Sequence, residues 1–347
     1  MLPDNILFSE NPSNDLLIFL QKKNYSTVVV LADHNTAKAC YPSISDSLPT
    51  HSLITVGAGE EFKNLGTCTT IWQQMTNLHL DRHACMVVLG GGVLGDMGGF
   101  CAATYKRGID FVLVPTTLLA QTDASIGGKL GIDFDNFKNH IGVFQQPALT
   151  LLYSGFLKTL PEAELRSGFA EIIKHTLISD KAMWTHISTL PLASQNWTTL
   201  VKHSVAFKAR VTTEDPKEKG LRKILNAGHT IGHAVESYLL ASGHRILHGE
   251  AIAIGLIAEG YIAEQRGLLS SQELHAMADY ILKIFGKVSL DDQQIEAASR
   301  LTVQDKKNKG NKILCVLQEG IGNARWDQEI NFEEVKQALT FYRTLQM

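Results

Sequence analysis

Short runs of β-branched and aliphatic residues recur through the first 150 positions, at Thr27–Ala32, Ser52–Val56, Met86–Leu89 and Phe111–Val114. Each is too short for a helix and is bounded by turn residues. That is the pattern of a strand buried on both faces. Leu65–Leu78 and Gly95–Tyr105, lying between them, have helical length and spacing. Strands alternating with helices predict a mostly parallel sheet with helices on both sides.

The texture changes near Leu157. Glu162–Ile178, Trp197–Thr213, Thr230–Leu240, Gly249–Arg266 and Ser271–Phe285 carry apolar residues at helical spacing, and Lys312–Leu317 is a late strand-like exception. The expectation is an α/β domain over residues 1–153 and a mainly helical domain over 154–347. No repeat or long linker separates them, so a cleft between the two is the natural ligand site.

An apolar fraction of 44% and a charged fraction of 19% suit a soluble globular chain. With net charge −3 and a pI near 6.5, no general pull toward nucleic acid or an anionic membrane is expected. An anionic ligand therefore needs a local basic cluster. Cys40, Cys68, Cys85, Cys101 and Cys315 form no C-x-x-C pair, which argues against a disulfide framework or a cysteine zinc site. The N-terminus lacks a signal-peptide pattern, and the longest apolar stretch, Ala251–Ala258, is too short to cross a bilayer. A cytoplasmic protein is expected.

In MVVLGGGVLGDMGGF, glycines 90, 91, 92, 95, 98 and 99 stand between a strand and a helix. Glycine there lets the backbone approach a ligand closely, and the helix start presents free N–H groups to phosphate. The spacing differs from G-x-G-x-x-G, and the alternative is a tight turn with close helix packing.

Ionisable residues concentrate in three further segments. Glu171 and Lys174 share a helix face, which alone describes a solvated ion pair. His229 and His233, four apart, suit a metal pair, and His248 opens another helix. Spacing by itself points to His229 and His233 as ligands. Arg107, Lys129, Lys138, Lys208, Arg222, Lys306 and Lys307 are candidate anion binders, with Lys129 and Lys138 expected in polar loops.

Taken in order, GGGVLGD (90–96), YKRG (105–108), VPTTLLAQTDASIGGK (114–129), KNHIGVFQQP (138–147), KTLPEAELRSGFAEIIK (158–174), GLRKILNAGHTIGHAVE (220–236), HGEA (248–251) and DKKN (305–308) resemble the 3-dehydroquinate synthase family. The resemblance runs through most of the chain from about Asp33 and implies that family's fold, with an NAD-binding glycine turn. It implies metal ligands Glu171, His229 and His248, the metal being zinc with cobalt also allowed, and His233 turned to the substrate phosphate. Asp33, Glu60, Lys63, Gly91, Gly92, Val93, Asp96, Thr116, Thr117, Asp123, Lys129, Lys138, Thr159, Leu160 and Glu164 are the implied NAD site. Asp123, Lys129, Asn139, Lys174, Lys208, Arg222, Asn226, His233 and Lys307 or its neighbour Lys306 are the implied substrate contacts. Arg107 matches an arginine that reaches the neighbouring site of a homodimer.

The implied substrate is a small phosphorylated sugar acid, 3-deoxy-D-arabino-heptulosonate 7-phosphate, converted to 3-dehydroquinate and phosphate on the route to aromatic amino acids. NAD oxidises the substrate transiently, phosphate is eliminated, the hydride returns, and the opened ring closes by an aldol step. The substrate's own phosphate can take the proton, so positioning carries much of the catalysis. Ala124 stands where the family often has serine, and Phe134–Phe137 replaces a loop usually containing proline and glycine. The rival readings are an inosose, valiolone or aminodehydroquinate cyclase and a metal-dependent glycerol or alcohol dehydrogenase. The many basic residues favour a substrate with both carboxylate and phosphate.

Overall fold

Strand and helix alternate through the first part of the chain to build one parallel sheet. The structure, a computed structural model, describes residues 2–135, 137–303 and 312–346. Its contacts divide the chain into two units, Met1–Pro161 and Glu162–Met347. The 3-10 stretch Ser154–Thr159 packs Phe156 into the first unit's core.

In the first unit the strands are β1 (Ile6–Phe8), β2 (Val28–Asp33), β3 (His51–Val56), β4 (Cys85–Gly90), β5 (Asp110–Pro115), β6 (Lys129–Phe134), β7 (Phe137–Phe144) and β8 (Leu149–Leu152). Six form a sheet in the order β1-β8-β5-β4-β2-β3, with every pairing parallel. The helices are α1 (Pro12–Lys23), α2 (His34–Ala39), α3 (Pro42–Ser45), α4 (Leu65–Asn77) and α5 (Gly92–Thr104). Side chains alternate across a strand, so Val29, Leu31, Met86 and Val88 meet Ile71 of α4 and Met97 of α5. Their neighbours Val28, Val30, Val87 and Leu89 meet Leu16 of α1 and Ile44 of α3. The unbroken apolar runs follow from these two cores.

The chain leaves β2 for β3 on one side of the sheet and β4 for β5 on the other. Ligands in such sheets bind beyond the carboxyl ends of the strands where this reversal occurs. Asp33 ends β2 and Gly90 ends β4.

Lys129 and Lys138 lie not in loops but on the antiparallel hairpin β6–β7, where Lys129 opposes Phe144. Most side chains of β7 are exposed, so the hairpin lacks the apolar signature by which the other strands are legible. Phe134 opposes Phe137 across its turn, and both are exposed.

The second unit holds α6 (Glu162–Ser179), α7 (Lys181–Ser188), α8 (Trp197–Glu214), α9 (His229–Ala241), α10 (His248–Gln265), α11 (Ser271–Phe285), α12 (Asp292–Thr302) and α13 (Phe332–Thr344). Strands β9 (Ile313–Gln318) and β10 (Ala324–Ile330) pair antiparallel. The interior of α10 is almost wholly buried, as a helix apolar on nearly every side requires. It packs against α6, α9, α11 and α13. No helix among the described residues is long and apolar enough to cross a membrane. All five cysteines are buried.

Candidate active site

Gly91 is the N-cap of α5 and brings no side chain to cap the helix's first N–H groups. A Cβ on Gly92 would stand 3.1 Å from Cβ of Ala124. Gly92, Gly95, Asp96, Ala124 and Lys129, among others, line a small depression beside this turn. Thr116 donates its backbone N–H to the Gly90 carbonyl (3.0 Å), placing the Thr116–Thr117 pair beside the turn. Val93 lies in the first turn of α5, and Asp123 in a π-helical turn, Ala120–Ala124.

Asp96 belongs to a second feature of this unit. The buried Lys63 Nζ donates to Asp96 Oδ2 (2.7 Å) and to Asn139 Oδ1 (2.6 Å). Burial works against the ammonium, but Asp96, with Glu60 and Asp133 nearby, outweighs it and holds Lys63 above the usual lysine value. Lys138 Nζ lies 3.9 Å from Glu60. Residues expected at NAD thus meet Asn139, expected at the substrate. Asp33 accepts the N–H groups of Asn35 and Thr36 as the N-cap of α2. Thr159 reaches Cys40, close to Asp33, and Leu160 follows the same 3-10 stretch. Glu164, on the first turn of α6, belongs to the second unit. Arg107 is exposed, and it and Lys106 both adopt left-handed backbone, φ 69° and 51°.

In the second unit, Glu171 and Lys174 form an ion pair that is buried rather than solvated, each side chain 1% exposed. Lys174 sits at Oε2. Toward Oε1 come two imidazoles, His229 Nε2 at 3.6 Å and His248 Nε2 at 3.5 Å. Among the described residues, neither Glu171 oxygen has a partner in hydrogen-bond geometry. Burial opposes charge on Glu171, but Lys174 and then His248 hold its carboxyl well below the usual carboxylate range. Burial likewise opposes charge on His248, yet Glu171 and Glu236 push it up to about 9.

These donors fit a divalent metal. Nitrogen and oxygen ligands on one tetrahedral zinc stand roughly 3.3–3.5 Å apart, close to the separations at Oε1. The remaining ring nitrogens are oriented as ligands need. His229 Nδ1 meets the Ala227 carbonyl at 3.0 Å, and His248 Nδ1 faces Glu236 Oε2 at 3.5 Å. His233 joins the group, its ring centroid 5.0 Å from that of His229 and 5.6 Å from that of His248. The three histidines offer ligand atoms within 4.8 Å of one another, and His229 and His248 also approach Oε1 of Glu171.

Arg222 and Lys208 are buried basic residues, Arg222 donating to the Pro216 carbonyl. Asn226 donates to Glu218 Oε1 at 2.7 Å. Lys306 and Lys307 lie outside the described residues. Sequence reasoning assigned no role to Glu218, Glu236 or Glu259. Glu236 had a signal in its place three residues after His233 on one helix, and Glu259 in being an acid inside an otherwise apolar run.

The family model described as 3-dehydroquinate synthase N-terminal matches residues 53–167, and that described as 3-dehydroquinate synthase C-terminal matches 168–308. A 3-dehydroquinate synthase of Parabacteroides distasonis is 35% identical, over 99% of each chain. One of Campylobacter concisus is 40% identical over 84% of each. Among solved structures, the 2-epi-5-epi-valiolone synthase of Streptomyces hygroscopicus superposes with a TM-score of 0.84 at 26% identity, over 99% of this chain and 97% of its own. On these matches, the chain belongs to the 3-dehydroquinate synthase family.

Proposed function

We propose that this 3-dehydroquinate synthase uses the first unit to bind NAD and the second to bind a divalent metal, zinc or cobalt, through Glu171, His229 and His248. The observation that carries the metal assignment is the convergence of both Nε2 atoms on Oε1 of a buried carboxylate. The valiolone synthase structure, similar over nearly its whole length, is one with NAD+ and Zn2+ bound. When bound, NAD exchanges a hydride with the substrate and the metal polarises substrate oxygens.

The chain's own groups supply position and charge. Two imidazoles and one carboxylate leave coordination places for substrate oxygens. The Lys174 side chain lies beside Oε2 and favours the ionised form of Glu171 although it is buried. Arg222 suits a carboxylate through two parallel N–H bonds. Lys208, Asn226, His233, Lys129 and Asp123 complete the proposed substrate contacts, with Lys307 or its neighbour Lys306. Asn226 is held in place by Glu218. The glycine turn, Thr116–Thr117 and the network of Glu60, Lys63, Asp96 and Lys138 would receive the dinucleotide, with Asp33, Thr159, Leu160 and Glu164.

Arg107 is proposed to serve the neighbouring site of a homodimer. Left-handed backbone at two consecutive non-glycine residues is costly and calls for a reason beyond packing. The buried free thiols suit the reducing cytoplasm.

The test of function is a single incubation with NAD, zinc and the heptulosonate phosphate. Phosphate and 3-dehydroquinate should appear together while NADH does not accumulate. Net NADH production in step with turnover would overturn the cyclase reading.

A further inference from the structure

The helices bearing Glu171, His248 and His229 are joined by a relay of captured helix starts. Ser167, four residues before Glu171 on α6, accepts the N–H of Gly249 at the start of α10 (3.0 Å). Glu259, further along α10, accepts the N–H groups at the start of α9 in turn. Its Oε2 takes Gly228 N–H at 2.6 Å, and Oε1 takes Thr230 and Ile231 at 3.2 and 3.3 Å. Glu259 is fully buried, at the end of the run Ala251–Ala258, built only of Ala, Ile, Leu and Gly. A carboxylate is costly in such a place unless donors meet it. Here three backbone N–H groups and the positive end of α9 do so.

Main-chain contacts support the same joints. A Cβ on Gly249 would fall 2.1 Å from the Ser167 carbonyl oxygen, and one on Gly255 would fall 1.8 Å from that of Gly228. Gly255 precedes Glu259 by one helical turn, so glycine contact and carboxylate clamp lie on one face of α10. Gly228 is the left-handed N-cap of α9, φ 75°, immediately before His229.

We propose that Glu259 is a positioning residue of the metal site. By fixing the start of α9 on α10 it sets His229 against His248, without touching metal or substrate itself. The inference rests on reading Glu171, His229 and His248 as ligands. A cap that served stability alone would not affect the metal.

The test uses full-length E259Q, which keeps the shape and loses the charge, and E259D, which keeps the charge and shortens the reach. Zinc affinity is measured by chelator competition without substrate, with NAD affinity and circular dichroism as controls. Both variants should fold and bind NAD normally, and zinc should bind about 10- to 100-fold more weakly. Visible absorption of the cobalt-loaded variants should shift as the imidazole moves. Wild-type zinc affinity and cobalt spectrum with only a lower Tm would overturn the proposal, as would failure of both variants to fold. If the wild type binds no zinc, or H248A binds it normally, the ligand assignment itself fails.

Discussion

Raising the pH should tighten metal binding steeply. His248 is pushed up to about 9 by Glu171 and Glu236, working against its burial. A ligand imidazole must be neutral to bind, so below that value each metal ion displaces one proton from His248. The apparent affinity then falls about tenfold for each pH unit, or about 100-fold between pH 9 and pH 7, on the order of 3 kcal/mol. Zinc titration against a chelator at fixed pH values gives the slope, and proton release in weak buffer gives the stoichiometry. E236Q removes one of the two carboxylates responsible, so the break should move to lower pH. Affinity that stays flat across this window, with no proton released, would refute the reasoning. For stability of the metal-free protein the sign is opposite. The folded value lies above the ordinary 6.5, so the contribution of His248 is complete below about pH 6.5 and fades as pH rises through about 9. With chelator present, Tm should decline across that interval.

G255A drives a methyl into the Gly228 carbonyl and should cost at least about 1–3 kcal/mol, read as a fall in Tm; an unchanged Tm would show that the helices part freely. K174M removes the nearer cation at the buried Glu171, leaving it the His248 imidazolium, and should destabilise the metal-free protein by up to about 3–5 kcal/mol. Saturating zinc should restore much of this in denaturant unfolding, and equal losses with and without zinc would contradict the shared role. K129A should raise KM for the phosphorylated substrate while NAD binding persists, and unchanged kinetics would remove Lys129 from phosphate recognition.

Four of the six sheet strands were legible, best where both faces are buried, as in the uninterrupted run Met86–Leu89, whereas the short edge strand β1 and its neighbour β8 were not read. Hairpin β6–β7 was not, since its exposed positions carry no apolar series. Strand β10 was hidden similarly, its inward positions including a glutamine. Helix periods located α6, α9 and α10 closely, and the i, i+4 spacing of His229 and His233 gave half of the cluster. No spacing joins Glu171 to His248, because that contact depends on α6 meeting α10 at Gly249. Nor could periodicity tell a solvated Glu171–Lys174 pair from a buried one. Glu259 remained unassigned because its partners are backbone groups, which have no signature in side-chain order.

The glycine contacts of α10 bear on how far this centre can be redesigned. A rotamer can adjust by a fraction of an ångström, whereas two peptide backbones already in touch cannot come nearer. The spacing among the coordinating helices is thus inherited from the thickness of the polypeptide itself. Enlarging the coordination sphere for a bulkier ion would require shifting whole helices, and exchanging the surrounding aliphatic residues would leave the aperture almost unaltered.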